Sequence, residues 1–285
     1  MAALADILRS AAARLSNALE LESREARLEV QILAAHALGV NRAWLLAHDR
    51  DELPPAATTA VDALVAKREK GEPVAYILGE KEFYGRTFRV TPDVLIPRPE
   101  TELLVETALE RLPQDRPARV LDLGTGSACI AISIGLARPD SDVLAVDISE
   151  AALETARDNA RRLSVRNIRF QASNWFGALD VKDFDMIVAN PPYVAENDPH
   201  MVQGDLRFEP RGALASGLDG LLDLSRIIAD APEYLRKDGI LLVEHGYDQM
   251  EACARLFLSC GFSNVECIPD YAGVGRISLG YKVGQ

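Results

Sequence analysis

The 285-residue sequence predicts an α/β protein: a doubly wound, mainly parallel sheet with an antiparallel edge hairpin, preceded by a small all-helical domain and a β-hairpin connector. Three observations carry this. From Arg119 onward, aliphatic runs and glycine turns alternate with helix-period segments of roughly 10 to 15 residues, the rhythm of parallel strands joined through helices. The last two strand candidates, SNVECI and GRISLGYKV, follow each other with no helix between them, so the sheet should finish with an antiparallel hairpin edge. Ahead of all this, helical periodicity dominates residues 1–78.

In the helical part, Ser23 and Gly39 bracket REARLEVQILAAHAL as an N-cap and a C′ glycine, with Leu28, Ile32, Ala35 and Leu38 on one side of the helix. Asn41 caps the short RAWLLAH, and Pro54-Pro55 opens a further helix that stops at Gly71. Between Pro73 and Pro99 the period changes to two. YILGEKEFYGRTFRV alternates apolar and polar residues, Gly79 and Gly85 mark turns, and residues 79–98 are expected to form the hairpin connector. Pro99 suits the first helical position of PETELLVETALERL, with Glu100 and Glu102 near the positive end of the helix dipole. Within residues 99–285, RVLDLG leads into helix ACIAISIGLA and DVLAVD into a helix capped by Ser149. A third strand precedes QASNWF, and the strand FDMIVAN follows it. Next come helix LLDLSRIIADAPEYLRK, strand GILLVEH and helix QMEACARLFLSC, which stops at Gly261.

Composition narrows the function. An apolar content of 48% and a charged content of 26% leave ample material for a core and exclude disorder, collagen and coiled coil. The formal net charge is −12. About −2 of it lies before Gly79 and about −10 after it, so a large nucleic-acid footprint, which needs a basic field, is disfavoured. The four cysteines, Cys129, Cys253, Cys260 and Cys267, form no C-x-x-C pair and the four histidines are scattered, so neither a metal site nor a disulfide framework is expected. Cys253 and Cys260, seven apart on one helix, are expected in the core, and His245 as a structural residue. No secretory h-region and no 18-residue apolar run is present, so no membrane contact and a cytoplasmic location are expected.

Two motifs carry chemistry. In DLGTGSA, Gly124 and Gly126 let the backbone turn tightly and approach a ligand, and the following helix offers unpaired N–H groups. The dinucleotide pattern G-x-G-x-x-G is incomplete, because Cys129 stands where its third glycine belongs. Asp147 ends the second strand, where a carboxylate accepts from ribose hydroxyls of either NAD or S-adenosylmethionine. Asp122, directly before the loop, favours S-adenosylmethionine, since a carboxylate suits an ammonium or sulfonium better than a pyrophosphate. The second motif, Asn190-Pro191-Pro192-Tyr193, closes the fourth strand as a stiff platform. A planar nitrogen whose lone pair is delocalised is a poor nucleophile and must be oriented. The Asn190 side-chain oxygen and the Pro191 carbonyl can each accept one N–H of such a group, while the Tyr193 ring covers its face, where developing positive charge is favoured. Trp175 can flank an adenine or belong to the core.

These segments, together with EFYG (82–85), IPRPETE (96–102), DPHMVQGDLRFEP (198–210), GLDGL (217–221), EHG (244–246) and D-x-x-G-x-x-R (270–276), resemble the peptide chain release factor N5-glutamine methyltransferases, the PrmC/HemK family. The resemblance covers the hairpin and everything after it. It implies a seven-stranded, Rossmann-like, S-adenosylmethionine-dependent methyltransferase sheet and a helical domain that helps hold the release factor. It also implies methyl transfer to the side-chain amide nitrogen (N5) of the glutamine in the Gly-Gly-Gln motif of class-1 release factors, with S-adenosyl-L-homocysteine as product. Cofactor contacts are implied for Gly124, Thr125, Gly126, Ser127, Ala128, Asp147, Trp175 and Asn190, and target contacts for Asn190, Pro191, Pro192 and Tyr193. The family's loop reads G-x-G-x-G, and this chain has Ala128 at the third glycine. That change is harmless if Ala128 simply begins the helix, which is the expectation, and costly if the position needs a positive φ. A monomer without direct nucleic-acid contact is expected. The alternatives are a glutamine of ribosomal protein L3 as target, an adenine N6 amine in nucleic acid after base flipping, and an NAD oxidoreductase, which lacks an acid/base pair for hydride transfer.

Overall fold

The computed structural model describes residues 3–284, and the chain divides into two compact units. One holds the chain up to Glu80 together with Val202–Phe208; the other holds Lys81–Met201 and the chain from Glu209 onward.

The first unit contains α1 (Leu4–Leu19), α2 (Ser23–Leu38), α3 (Arg42–Ala47), α4 (Pro55–Glu69) and α5 (Val74–Leu78). Leu4, Ile7, Ala11 and Leu15 of α1, Ala26, Val30 and Leu33 of α2, and Val61 and Val65 of α4 form its buried core at helical spacing. Asn41 caps α3 as the sequence predicts, its side chain accepting from the Trp44 amide at 2.8 Å. Gly39 ends α2 at φ 64°. Ser23 does not cap α2: the N-cap is Glu22, without a side-chain bond, and Ser23 is the first helical residue. The expected apolar face is also displaced, since the smaller stripe through Ala26, Val30 and Leu33 faces the neighbouring helices while Leu28 is exposed. Val74–Leu78 is a helical turn rather than the start of a strand, ended by Gly79 at φ 71°. Arg68 of α4 is buried within this unit, bonding Glu29 at 2.8 Å and Asp205 at 2.7 Å, and it anchors the segment Val202–Phe208 there.

In the second unit, β1 (Glu80–Phe83) and β2 (Arg86–Arg89) form the hairpin. Tyr84 and Gly85 between them both have positive φ, as a two-residue type I′ turn requires. Helix α6 (Thr101–Arg111) begins two residues after Pro99, because Pro99 and Glu100 form the turn that leads into it. The sheet comprises β3 (Arg119–Leu123), β4 (Asp142–Asp147), β5 (Ile168–Ala172), β6 (Phe184–Ala189), β7 (Leu235–Glu244), β8 (Phe262–Pro269) and β9 (Gly275–Lys282). Its order is β5-β4-β3-β6-β7-β9-β8, with β8 and β9 as the antiparallel edge hairpin. Helices α7 (Cys129–Ala137), α8 (Glu150–Arg162), α9 (Leu222–Tyr234) and α10 (Met250–Ser259) complete the unit. Leu235, Arg236 and Lys237, expected at the end of α9, instead open β7, because Pro232 leaves the helix only its last turn.

Alternate strand residues serve two cores. Val120, Val143, Val188 and Leu242 pack with α6, α7 and α8, while Leu121, Leu144, Ile187 and Leu241 pack with α9 and α10. Covering both faces is why these strands read as continuous aliphatic runs. The chain proceeds from β3 outward through β4 to β5, then returns to β6 on the other side of β3, so the strand order reverses between β3 and β6. Ligands of open α/β sheets bind at the carboxyl ends of the strands beside such a reversal.

Candidate functional site

The register brings the chemistry-bearing residues into one row. Leu123 is level with Val146 and with Ala189, and Ala189 with Val243, so the next residues along the parallel strands are Gly124, Asp147, Asn190 and Glu244. A cavity of about 470 Å³ opens there, lined among others by Gly124, Thr125, Gly126, Ser127, Asp147, Trp175, Asn190 and Pro192. Three of the sequence-predicted site residues do not line it. Ala128 is fully buried behind the loop, Pro191 is buried, and Tyr193 turns its hydroxyl toward Glu244 at 3.4 Å.

The loop that crosses the strand end is built from left-handed residues. Gly124 has φ 69°, Gly126 54° and Ala128 62°. Ala128 therefore does not begin the helix, as expected from the sequence, but caps it in a conformation that L residues avoid. Gly124 has a second constraint, because a Cβ there would lie 3.1 Å from the Trp175 ring. Trp175 is itself held at φ 51°, with its Nε1 donating to Asp223 at 3.0 Å, and Asp223 in turn accepts from the Ser216 hydroxyl at 2.7 Å. The indole thus forms a fixed wall across the glycine backbone.

Asp147 accepts from Gly126 N on one oxygen and from Ser149 N on the other, both at 2.9 Å. Each oxygen keeps a further lone pair, which suits the hydroxyls of a ribose. Burial raises its pKa, and the backbone N–H bonds oppose that rise. Asp122, by contrast, does not face the cavity. It lies beneath the loop, fully buried, accepting from the Thr125 hydroxyl at 2.6 Å, and burial pushes its pKa up to about 7. Its expected service to a ligand's positive charge is replaced by support of the loop from below.

The tetrapeptide is clamped from three directions. Asn190 Nδ2 donates to Thr101 Oγ1 at 3.1 Å, while Asn190 Oδ1 is buried with no partner among the described residues. Gln249 Nε2 donates to the Tyr193 carbonyl at 3.0 Å, and Gln249 Oε1 accepts from Gly246 N. Gly220 must be glycine, since a Cβ would stand 2.3 Å from the Tyr193 carbonyl. Two motifs far apart in sequence also meet: the buried carboxylate of Glu209 pairs with Arg98 and accepts from Ile96 N at 3.0 Å, joining IPRPETE to RFEP at the cavity wall. Thr101, Asp223, Gln249 and Glu209 have no local pattern that marks them individually; only the motif context around two of them was visible. His245 is a satisfied core residue, its ring between the Gly246 carbonyl and the Ser278 hydroxyl.

Among the described residues no cluster of metal-ligating side chains and no helix long and apolar enough to cross a membrane is present. What the site can hold is an elongated ligand running from Asp147 past the glycine loop, with one unsatisfied acceptor, Asn190 Oδ1, at its far end.

Residues 6–79 match the family described as PrmC N-terminal domain, and residues 99–217 match the Methyltransferase small domain. A release factor glutamine methyltransferase of Bordetella pertussis is 53% identical over 256 residues, covering 90% of this chain and 94% of the relative. One of Escherichia coli is 43% identical over 258 residues, covering 90% and 93%. Among solved structures, a methyltransferase from Pyrococcus furiosus shares the fold at 19% identity, with a TM-score of 0.55 over 77% of this chain and 98% of that one.

Proposed function

Since this chain belongs to the release factor glutamine methyltransferases, we propose that its cavity binds S-adenosylmethionine and presents the cofactor's methyl group to the side-chain amide nitrogen of a glutamine, that of the Gly-Gly-Gln motif of class-1 release factors. The observation that carries this reading is the buried, unpartnered Asn190 Oδ1 in the same cavity as the left-handed glycine loop and Asp147. A carboxamide target has two N–H groups to donate, and this site offers acceptors where a charged amine would need a carboxylate.

The residues divide the work. Asp147 holds the ribose hydroxyls, the Gly124–Ser127 backbone and Trp175 hold the body of the cofactor, and Ile148, exposed at the cavity edge, covers the adenine. When bound, S-adenosylmethionine would supply an electrophilic methyl for the amide nitrogen, with S-adenosyl-L-homocysteine as the leaving group and the surplus amide proton passing to water. We assign one N–H of the target to Asn190 Oδ1 and the other to the backbone carbonyl of Pro191, whose ring is buried outside the cavity, and this turns nitrogen lone-pair density toward the methyl. Alignment of this kind supplies roughly 7–11 kcal/mol of barrier reduction, so a strong base is not required. The helical unit is proposed to choose the protein partner.

Methyl transfer from labelled S-adenosylmethionine tests the reading, with intact release factor, a copy whose Gly-Gly-Gln glutamine is alanine, ribosomal protein L3 and duplex DNA offered in parallel. Label on the intact release factor alone is expected; label on L3 or DNA would overturn the partner while keeping the chemistry. Asn190→Ala should lower turnover by about 10²–10³ with cofactor binding intact, the loss typical of one preorganised transition-state contact.

A further inference from the structure

A buried ion pair in the cavity wall has no part in the chemistry described above. The Glu209 side chain is fully enclosed, and its two oxygens accept from Arg98 Nη2 and from Ile96 N, the latter at 3.0 Å. An enclosed carboxylate is costly unless paired, so holding one here secures something in return. What it secures is Arg98. That guanidinium is partly exposed and lines the cavity. It carries five N–H donors, of which one goes to Glu209, and the others have no hydrogen-bond partner among the described residues. With one edge of the planar fork fixed on a buried carboxylate, the group is preorganised and its free edge is left for a ligand.

The position of Arg98 narrows the ligand. Thr101 N donates to the Arg98 carbonyl at 3.1 Å, and Thr101 Oγ1 accepts from Asn190 Nδ2 at 3.1 Å, so Arg98 belongs to the β6 end of the row. Among the described residues that line the cavity, the other cation is Arg226, which donates to Asn174 at 3.3 Å, just after β5 and beyond Asp147 at the opposite end. S-adenosylmethionine has its adenosine at one end and an α-amino acid at the other. With the ribose on Asp147 and the methyl toward Asn190, the amino-acid arm falls on the side of Arg98. That arm carries a carboxylate, which needs a donor when it leaves water. The first amides of α6 are not free to serve it: those of Thr101, Glu102 and Leu103 donate to the carbonyls of Arg98, Pro99 and Glu100 at 3.1, 3.1 and 3.2 Å.

We propose that Arg98, held in place by the buried carboxylate of Glu209, binds the α-carboxylate of the cofactor's amino-acid arm. The proposal rests on the S-adenosylmethionine reading above. It gives the meeting of IPRPETE and RFEP a purpose: one motif supplies the cation and the other the acid that fixes it. Arginine suits the task better than lysine, because two carboxylates can take different edges of one guanidinium. The second negative charge beside Arg98 is balanced within the ligand, whose ammonium and sulfonium accompany its carboxylate.

The test is calorimetric binding of two ligands to the full chain: S-adenosyl-L-homocysteine, and its decarboxylated analogue S-adenosyl-3-thiopropylamine, in which hydrogen replaces the carboxylate. The wild type should bind the first about 10- to 100-fold more tightly, the scale of hydrogen bonds to a charged group. Arg98→Met should weaken S-adenosyl-L-homocysteine by about the same factor and leave the analogue as in the wild type, so that the discrimination disappears. Equal weakening of both ligands, which a merely structural role would produce, overturns the proposal, as does no change in either. Unchanged S-adenosyl-L-homocysteine binding with a raised KM for release factor also overturns it, giving Arg98 to the target instead. Should Arg98→Met fail to fold because it strands the Glu209 carboxylate, Arg98→Met/Glu209→Gln, which buries no unpaired charge, decides by the same comparison: retained discrimination there overturns the proposal. A wild type that binds both ligands alike overturns it as well, whereas a wild type that binds neither overturns the cofactor reading itself.

Discussion

Ala128 sits at φ 62°, where an L residue costs roughly 1–2 kcal/mol relative to glycine. Two effects offset that cost: its buried methyl contributes about 0.8 kcal/mol, and alanine spares the unfolded chain about 0.4–1 kcal/mol of glycine entropy. The balance is close to zero, which is how the loop tolerates a side chain at its third left-handed position. Ala128→Gly should therefore change unfolding free energy by less than about 1 kcal/mol, whereas Ala128→Val, branched and overpacked at the same φ, should cost about 2 kcal/mol or more in a urea titration. Asp147 leads to a different readout. Asp147→Ala removes the proposed ribose acceptor and also the partner of Gly126 N, so cofactor Kd should rise at least about tenfold by calorimetry while the fold survives. Both residues were visible in the sequence as positions, but φ at Ala128 was not, because it depends on the way strand, loop and helix meet.

At the scale of elements, the short connections were the hardest to read. Helix α5 lies where an alternating pattern predicts strand, and five residues are too few for a period of two to be told from a helical turn ended by glycine. The start of β7 was hidden for a related reason: α9 and β7 abut without a loop, so helical periodicity runs straight into the strand. The caps were legible where a side chain carries the bond. Asn41→Ala should cost about 1 kcal/mol in the helical unit without altering cofactor binding. Arg68 had no such signature. Its guanidinium is buried between Glu29 and Asp205, and Arg68→Met should destabilise the helical unit by about 2–3 kcal/mol in thermal unfolding, below the cost of breaking a fully buried pair because Asp205 is partly exposed.

For the whole molecule, two buried acids tie stability to pH. Asp122 and Glu244 both have pKa values raised to about 7 by burial, so between their unfolded values and pH 7 the folded state holds protons that the unfolded state has lost. The sign follows: this contribution is fully present below the unfolded carboxyl values, and it is lost as pH rises through 7, on the order of 3–4 kcal/mol per group. Carboxylates held low by arginine partners, such as Asp185 beside Arg116 and Arg236, act oppositely and lose their contribution in acid. Asp122→Asn should therefore raise the melting temperature more at pH 8 than at pH 5, and an equal shift at both would refute the assignment. The sequence by itself determined the α/β class, the antiparallel edge, the glycine loop, the Asn-Pro-Pro-Tyr platform and the family resemblance, because hydrophobic period, turn residues and short motifs are local properties of a chain. Only the tertiary structure decided that Asp122 lies beneath the loop rather than in the cavity, that Glu209 joins two motifs separated by more than a hundred residues, and that Thr101 holds the Asn190 amide. Those facts follow from strand order and parallel register, which set neighbours across the sheet and leave no trace in the sequence around any one of them.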